Sequence, residues 1–237
     1  MVVVTGSSSG IGAAVARRFS AAGASVVVSS ARSVDAGRAV AAELADAVYV
    51  QADVTDPAAP ERLVQGALER WGRLDVLVNN AGTTAVIPHD DLEAASVDVW
   101  RQIFEVNVFG TWAMTVAAVP ALRDRHGAVV NIASIAGLRP TGSSIPYACS
   151  KAALVHQTRL LAKTLGPEVR VNAVAPGLVD TPWTRDWDAV REHVSKVAPL
   201  RRSGQPDDIA EIVVALAASS YTTGQVVTVD GGLTLAT

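Results

Sequence analysis

The sequence predicts a doubly wound α/β domain whose seven-stranded parallel sheet is covered by helices on both faces. Three observations predict it. Short apolar, β-branched runs recur seven times, at residues 2–5, 25–29, 48–51, 76–79, 128–132, 170–175 and 225–229. Stretches with helical apolar spacing separate them, at 12–22, 34–44, 57–71, 97–124, 146–165 and 206–217. No linker, low-complexity tract or short repeat splits the chain, and 237 residues suit a single domain, 1–237, of this kind. Strict alternation of strand and helix means right-handed crossovers, which force the strands parallel and bury both faces of the sheet.

Each element ends in residues that invite scrutiny, because sheets of this kind bind ligands beyond the carboxyl ends of their strands. The first strand runs into Thr5-Gly6-Ser7-Ser8-Ser9-Gly10-Ile11-Gly12, and the helix after it carries Ile11, Val15 and Phe19 on one face. The second strand ends in Ser29-Ser30-Ala31-Arg32, the third in Asp53-Val54 and the fourth in Asn79-Asn80-Ala81-Gly82. Asn107 falls within the long helix 97–124. Ser134 follows the fifth strand, and Tyr147 and Lys151 open the next helix. The sixth strand leads into Pro176-Gly177. The widest gap in the pattern, 177–203, carries Trp183 and Trp187 and predicts a mobile flap with a short helix. Asp230-Gly231-Gly232 closes the seventh strand.

Composition narrows the function. With 49% apolar residues, 18% charged residues and a net charge of -3, the chain is expected to fold and offers no electrostatic case for nucleic acid or an anionic membrane. The longest uncharged stretches, 106–122 and 212–229, are interrupted by polar residues, Gly or Pro and read poorly as membrane spans. The single Cys149, expected to be a small buried residue, excludes an internal disulfide and a multi-thiolate zinc site, which suits a cytoplasmic protein. His89, His126, His156 and His193 have no metal-ligand spacing, so no metal is expected.

The glycine turn is the first chemical signal. Glycines allow a tight turn and close backbone approach to a pyrophosphate, and the helix start supplies free N–H groups and partial positive charge. Gly6-x-Ser8-x-Gly10 also satisfies the nucleophile-elbow pattern of a serine hydrolase, but an elbow needs an oxyanion loop from an earlier strand. A Walker-type loop needs Gly-Lys-Ser/Thr, and Gly12-Ala13-Ala14 does not supply it.

The Gly-x3-Gly-x-Gly spacing, followed in order by Asp53-Val54, Asn79-Asn80-Ala81-Gly82, Asn107, Ser134, Tyr147-x3-Lys151, Pro176-Gly177 with Thr181, and Asp230-Gly231-Gly232, resembles the short-chain dehydrogenase/reductase family over essentially the whole chain. One departure is that the sequence opens within its first strand. The resemblance implies a Rossmann-type fold and an NAD(P)-dependent oxidoreductase. It makes Tyr147 the proton donor to a substrate carbonyl, Ser134 its partner on the same oxygen, Lys151 the holder of the cofactor ribose, and Asn107 the anchor of a water linking Lys151 to solvent. It also implies that Gly6, Ser8, Ser9, Gly10, Ile11 and Gly12 cradle the pyrophosphate. Asp53 and Val54 would take the adenine, and Asn80, Ala81 and Gly82 the adenosine ribose. Pro176, Gly177, Val179 and Thr181 would take the nicotinamide end.

Tyr147 and Lys151 stand four apart and so share a helix face. Bringing a phenol from a pKa of about 10 to neutrality needs roughly 4 kcal/mol. A lysine charge at about 5 Å supplies on the order of 3 kcal/mol. The pair is therefore expected to reach full tuning only beside an oxidised nicotinamide. After the second strand no carboxylate occurs before Asp35, and Ser30 with Arg32 suits a 2'-phosphate, so NADP(H) is expected over NAD(H).

The substrate is expected to be a small carbonyl compound or secondary alcohol, with 3-oxoacyl thioester reduction as the leading choice. The alternatives are an NAD-dependent sugar, polyol or steroid dehydrogenase, and a non-catalytic dinucleotide-binding protein. No arginine is obviously placed to clamp a substrate carboxylate, although Arg139 and Arg185 could swing inward. The long helices hold more apolar residues than one buried face needs, among them Phe109, Trp112, Leu154 and Leu160, and family resemblance implies a homotetramer.

Overall fold

The computed structural model describes residues 1–236, so Thr237, the last residue of the expected domain, lies outside the described residues. Seven parallel strands form one sheet in the order β3-β2-β1-β4-β5-β6-β7. They are β1 (Val2–Val4), β2 (Val26–Ser30), β3 (Ala47–Gln51), β4 (Val76–Asn79), β5 (Ala128–Ile132), β6 (Arg170–Pro176) and β7 (Val226–Val229). The order in which strands are added reverses between β1 and β4, which opens a crevice at their carboxyl ends.

Alternation along the strands assigns each face its helices. Val2, Val4, Val26 and Val28 pack with Val15 and Phe19 of α1 (Gly10–Ala21) and with Ile209 and Val213 of α8 (Pro206–Ala218). Val3, Val27, Leu77 and Val129 point the other way, onto Leu63 of α3 (Ala59–Trp71) and Met114 and Leu122 of α5 (Thr111–Arg123). Each such side chain, taken fully out of water, contributes roughly 1.5–3 kcal/mol. α2 (Val34–Glu43) covers β2 and β3, with Gly37 so close to Tyr49 that a Cβ there would collide with the ring.

The predicted helix 97–124 is not one regular helix. It comprises α4 (Val97–Phe104), a widened turn at Glu105–Gly110, and α5. The turn is stabilised locally, since the Thr111 hydroxyl donates to the Asn107 carbonyl at 3.1 Å. By length and composition the segment Val97–Arg123 could cross a membrane, yet Ile103, Met114, Ala118 and Leu122 are buried against the rest of the fold. Ser144 caps α6 (Ile145–Leu165), its hydroxyl accepting from Tyr147 N–H at 3.4 Å. The 177–203 gap holds a short turn, Pro182–Thr184, and α7 (Asp188–Val197). Two elements absent from the sequence reading are the turn Ile135–Gly137 and the short helix α9 (Leu233–Ala236). Three- and four-residue elements carry too little periodicity to be recognised.

Candidate active site

A cavity of about 910 Å³ opens along the carboxyl ends of the central strands. It runs from Gly6, Ser9, Gly10, Ile11 and Gly12 past Asn80, Ala81 and Gly82 to Ser134, Tyr147 and Lys151, then out between Pro176, Gly177, Val179, Thr181 and the flap tryptophans. The motifs scattered over the sequence thus line one crevice. Ser8, Ser30, Arg32, Asp53, Val54 and Asn107 lie outside its lining.

The start of α1 is shaped for a phosphate. Ser9 at its N-cap makes no side-chain cap bond, and its first turn has no acidic residue, so backbone donors and the helix dipole stay uncompensated. Gly10 has φ +53°, and a Cβ on it would stand 3.2 Å from the Thr181 methyl. A Cβ on Gly6 would come within 2.9 Å of Ala81 Cα, and one on Gly12 would collide with the Asn80 amide and the Gly6 carbonyl. This dense backbone cradle fits the pyrophosphate of a nicotinamide dinucleotide. Its frame comes from Thr5, which the sequence reading missed. The Thr5 hydroxyl accepts from Asn80 N–H and Ala81 N–H, both at 3.0 Å, while the Asn80 amide donates to the carbonyls of Thr5 and Gly6 at 2.9 Å. A hydroxyl at the very end of β1, one residue before the glycine turn, was the available signal.

Three side chains meet at the reaction end. Ser134 follows β5 and caps the next turn, its hydroxyl accepting from Ala136 N–H at 3.1 Å, and it lines the cavity together with Tyr147. Lys151 Nζ lies 5.8 Å from the Tyr147 ring centroid and donates to the Ile132 carbonyl at 2.9 Å. Burial pushes the Tyr147 phenol above its ordinary value, against a smaller opposing effect of the Ser134 hydroxyl. Burial also depresses the Lys151 ammonium from 10.5 to about 8. In the protein alone, desolvation therefore outweighs the mutual tuning expected from spacing, and both groups are biased toward their neutral forms.

Asn107 is fully buried in the widened turn and is held by backbone. Its Oδ1 accepts from Thr83 N–H at 2.8 Å, and its amide donates to the Thr83 carbonyl and the Ser150 hydroxyl, each at 3.0 Å. A Cβ on Gly82 would sit 3.4 Å from Asn107 Oδ1 and 3.6 Å from Lys151 Nζ, so both polar groups converge on the bare backbone there. Ser150 is another residue missed in the sequence. It lies three residues after Tyr147 on α6, and its hydroxyl also donates to the Tyr147 carbonyl at 2.7 Å.

The residues expected at the adenine end are held differently. Asp53 Oδ1 accepts from Thr55 N–H at 3.0 Å and from the Thr55 hydroxyl at 2.8 Å. Val54 packs against Gly110 of the widened turn, where a Cβ would stand 2.7 Å from Val54 Cγ2. Ser30 is buried, donating to the Ser33 carbonyl at 3.1 Å and sharing a 3.0 Å bond with the Tyr49 hydroxyl, whereas Arg32 is exposed. One expectation needs correction. Cys149 is exposed rather than buried, because its place two residues after Tyr147 turns it away from the sheet. Neither Arg139 nor Arg185 lines the cavity.

The flap is bound to itself by charge. Asp180 accepts from Arg191 Nε at 2.8 Å, from the Ser203 hydroxyl at 2.7 Å and from the Gln205 amide at 2.9 Å. Burial would raise its carboxyl, but these donors more than reverse that and hold it below the usual carboxylate range. Arg191 also donates to the Thr184 carbonyl at 2.6 Å, and the Thr184 hydroxyl accepts from Thr181 N–H at 3.2 Å. The set links α7 to the residue facing the phosphate cradle.

A dinucleotide cradle joined to a Ser-Tyr-Lys group under a flap defines a nicotinamide-dependent oxidoreductase. Comparison with known proteins agrees: residues 6–234 match the family model described as enoyl-(acyl carrier protein) reductase. The chain belongs to the short-chain dehydrogenase/reductase family. It is 59% identical over 236 residues to the "Granaticin polyketide synthase putative ketoacyl reductase 2" of Streptomyces violaceoruber, covering 98% of this chain and 95% of that one. It is 37% identical to a 3-oxoacyl-acyl-carrier-protein reductase of Thermotoga maritima, covering 98% and 97%. A solved structure from Burkholderia xenovorans, titled a putative short-chain dehydrogenase/reductase, superposes with TM-score 0.93 at 41% identity, covering 99% and 97%.

Proposed function

We propose that this protein reduces a ketone of a 3-oxoacyl or polyketide-type substrate with NADPH. The observation that carries the reading is that Ser134, Tyr147 and Lys151 line one end of a cavity whose other end is the phosphate cradle of α1, with Lys151 Nζ 5.8 Å from the Tyr147 ring centroid. The similarity to the granaticin ketoacyl reductase and the Thermotoga reductase supports the substrate class.

Bound nicotinamide dinucleotide supplies the hydride. Tyr147 holds the proton at its hydroxyl and delivers it to the carbonyl oxygen as charge develops there, and burial favours the protonated phenol that reduction requires. Ser134 orients the same oxygen with a second hydrogen bond. Lys151 reaches the ribose of the nicotinamide half, and Asn107 anchors the water that returns protons to Lys151. Gly6 and residues 8–12 hold the pyrophosphate, Asp53 and Val54 the adenine, Asn80, Ala81 and Gly82 the adenosine ribose, and Pro176, Gly177, Val179 and Thr181 the carboxamide end. Exposed Arg32 meets the 2'-phosphate. Ser30 supports that strand end from within, because its hydroxyl is spent on Ser33 and Tyr49.

The assembly we propose is a homotetramer of a cytoplasmic protein. Phe109, Trp112 and Val116 form an exposed apolar stripe, with Leu160 exposed on the neighbouring α6, and a second copy would cover it. Sedimentation checks this directly, and a monomer at micromolar concentration rejects it.

The deciding experiment follows NADPH and NADH oxidation against ketones, 3-oxoacyl thioesters and quinones, with wild type and Tyr147→Phe. The expected result is NADPH-dependent ketone reduction that falls by roughly 10²–10⁴ in Tyr147→Phe. Preference for NADH would overturn the Arg32 assignment, and full activity in Tyr147→Phe would overturn the site.

A further inference from the structure

The cavity wall says more about the substrate than the catalytic residues do. Of five tryptophans in the chain, two, Trp183 and Trp187, line this cavity from the flap. Trp183 lies 44% exposed, with its ring centroid 6.3 Å from that of Tyr147 at an interplanar angle of 68°. The indole therefore borders the space that a carbonyl compound bonded to the Tyr147 hydroxyl would enter. Val86, Ile87 and Pro88, from the loop after β4, also line the cavity. That loop is fastened to the loop after β5 by the Thr84 to Ser143 hydroxyl bond at 2.5 Å, by Ile87 N–H to the Ser143 carbonyl at 2.8 Å, and by His89 Nε2 with the Gly142 carbonyl at 3.1 Å. The ionisable lining beyond Tyr147 and Lys151 is His89 and Asp186, and no arginine contributes. The wall therefore has no fork for a substrate carboxylate or phosphate.

We propose that Trp183 is the specificity-determining residue of this site and selects an uncharged, planar cyclic ketone over a flexible aliphatic one. The inference rests on the ketone-reductase reading above and names the substrate class. A large, partly exposed aromatic beside the reacting oxygen keeps apolar area uncovered until a ligand covers it, and a flat ring covers it with little loss of conformational freedom. A linear chain of the same carbon count covers the indole less fully and loses several rotamers in doing so.

The test uses two ketones of equal carbon number, a tetralone and a decanone, with NADPH-loaded wild type, Trp183→Leu and Trp183→Phe. Wild type is expected to prefer the tetralone in kcat/KM. Trp183→Leu should lower that preference by about tenfold, with the decanone changed less than about twofold, and Trp183→Phe should retain most of it. An unchanged preference in Trp183→Leu, or an equal fall for both ketones, overturns the proposal. Binding to Tyr147→Phe, measured by calorimetry, separates this inference from the reaction it rests on. If wild type reduces neither ketone and no 3-oxoacyl thioester, yet the tetralone binds and Trp183→Leu weakens that binding, recognition stands and the reductase reading falls. If the tetralone does not bind, the recognition proposal fails.

Discussion

The floor of the cavity and its flap are held by opposite means. On the floor, Lys151 is 4% exposed and bonded to a strand carbonyl, and buried Asn107 is bonded to both polar groups of Thr83, so backbone fixes the side chains. In the flap, side chains fix the backbone. Asp180 and Arg191, 32% and 27% exposed, tie α7 to the turn that carries Thr181. Backbone partners in a dry interior keep a reacting group within a fraction of an ångström, whereas solvated charges are screened by salt and yield more easily. The difference teaches a division of labour, in which the floor carries the chemistry and the flap carries the fit.

The largest effect should come from Lys151. Lys151→Met should lower kcat/KM by roughly a hundredfold or more, since it removes a charge beside Tyr147 and the ribose contact proposed for it. It should also change stability in a defined direction. Burial holds the ammonium at about 8 against 10.5, so between those pH values the unfolded chain retains a proton that the folded chain has released. Stability of the cofactor-free wild type should therefore rise with pH across that window, by about 3 kcal/mol at most, and the rise should vanish in Lys151→Met. Tyr147, shifted upward by burial, acts with the opposite sign above pH 10, so the informative range is pH 8 to 10. Denaturant titrations at several pH values measure it, and a flat wild-type profile would mean that the lysine is better solvated than its surroundings imply.

Asn107 should come next. Asn107→Ala leaves both polar groups of Thr83 without their buried partner, at a cost of about 1–3 kcal/mol in unfolding free energy. Activity should fall about tenfold, mainly in kcat, because Thr83 adjoins the Gly82 backbone on which Lys151 converges. A loss confined to KM would place Asn107 with the flap in its behaviour and blur the contrast.

How much was legible follows the same division. The parallel sheet and the floor were readable because their signals are local and dense: β-branched runs, a glycine turn, and Tyr147 and Lys151 on one helix face. Strand ends matched to within a residue or two, as with β1, which stops at Val4 and leaves Thr5 free to brace the turn. The widened turn at Glu105–Gly110 was not readable, since it keeps the apolar spacing of a helix and differs only in its bonding. The exposure of Cys149 was missed because the position was judged by residue type rather than by the direction α6 presents. The flap latch was invisible for another reason: Asp180, Arg191, Ser203 and Gln205 come together only through tertiary folding, and an acidic and a basic residue eleven apart carry no periodic signal.

The smallest predicted effect tests that latch. Arg191→Met removes the donor to Asp180, Asp188 and the Thr184 carbonyl together, and leaves Thr181 without its indirect tie to α7. Substrate and cofactor KM should rise several-fold while kcat stays within about twofold, because no reacting group touches Arg191. Arg191→Lys should recover only part of the loss, since an ammonium cannot span the carboxylate and the carbonyl as the planar fork does. Salt should separate floor from flap in the unaltered enzyme as well. Raising ionic strength toward 1 M shortens the screening length to about 3 Å and should raise KM for the uncharged ketone in wild type but hardly at all in Arg191→Met, with kcat insensitive in both. Steady-state kinetics over a salt series reads all of these quantities. Equal salt dependence in the two proteins would show that the flap is held by its apolar contacts, with Trp187 and Val194 rather than Arg191 setting its position.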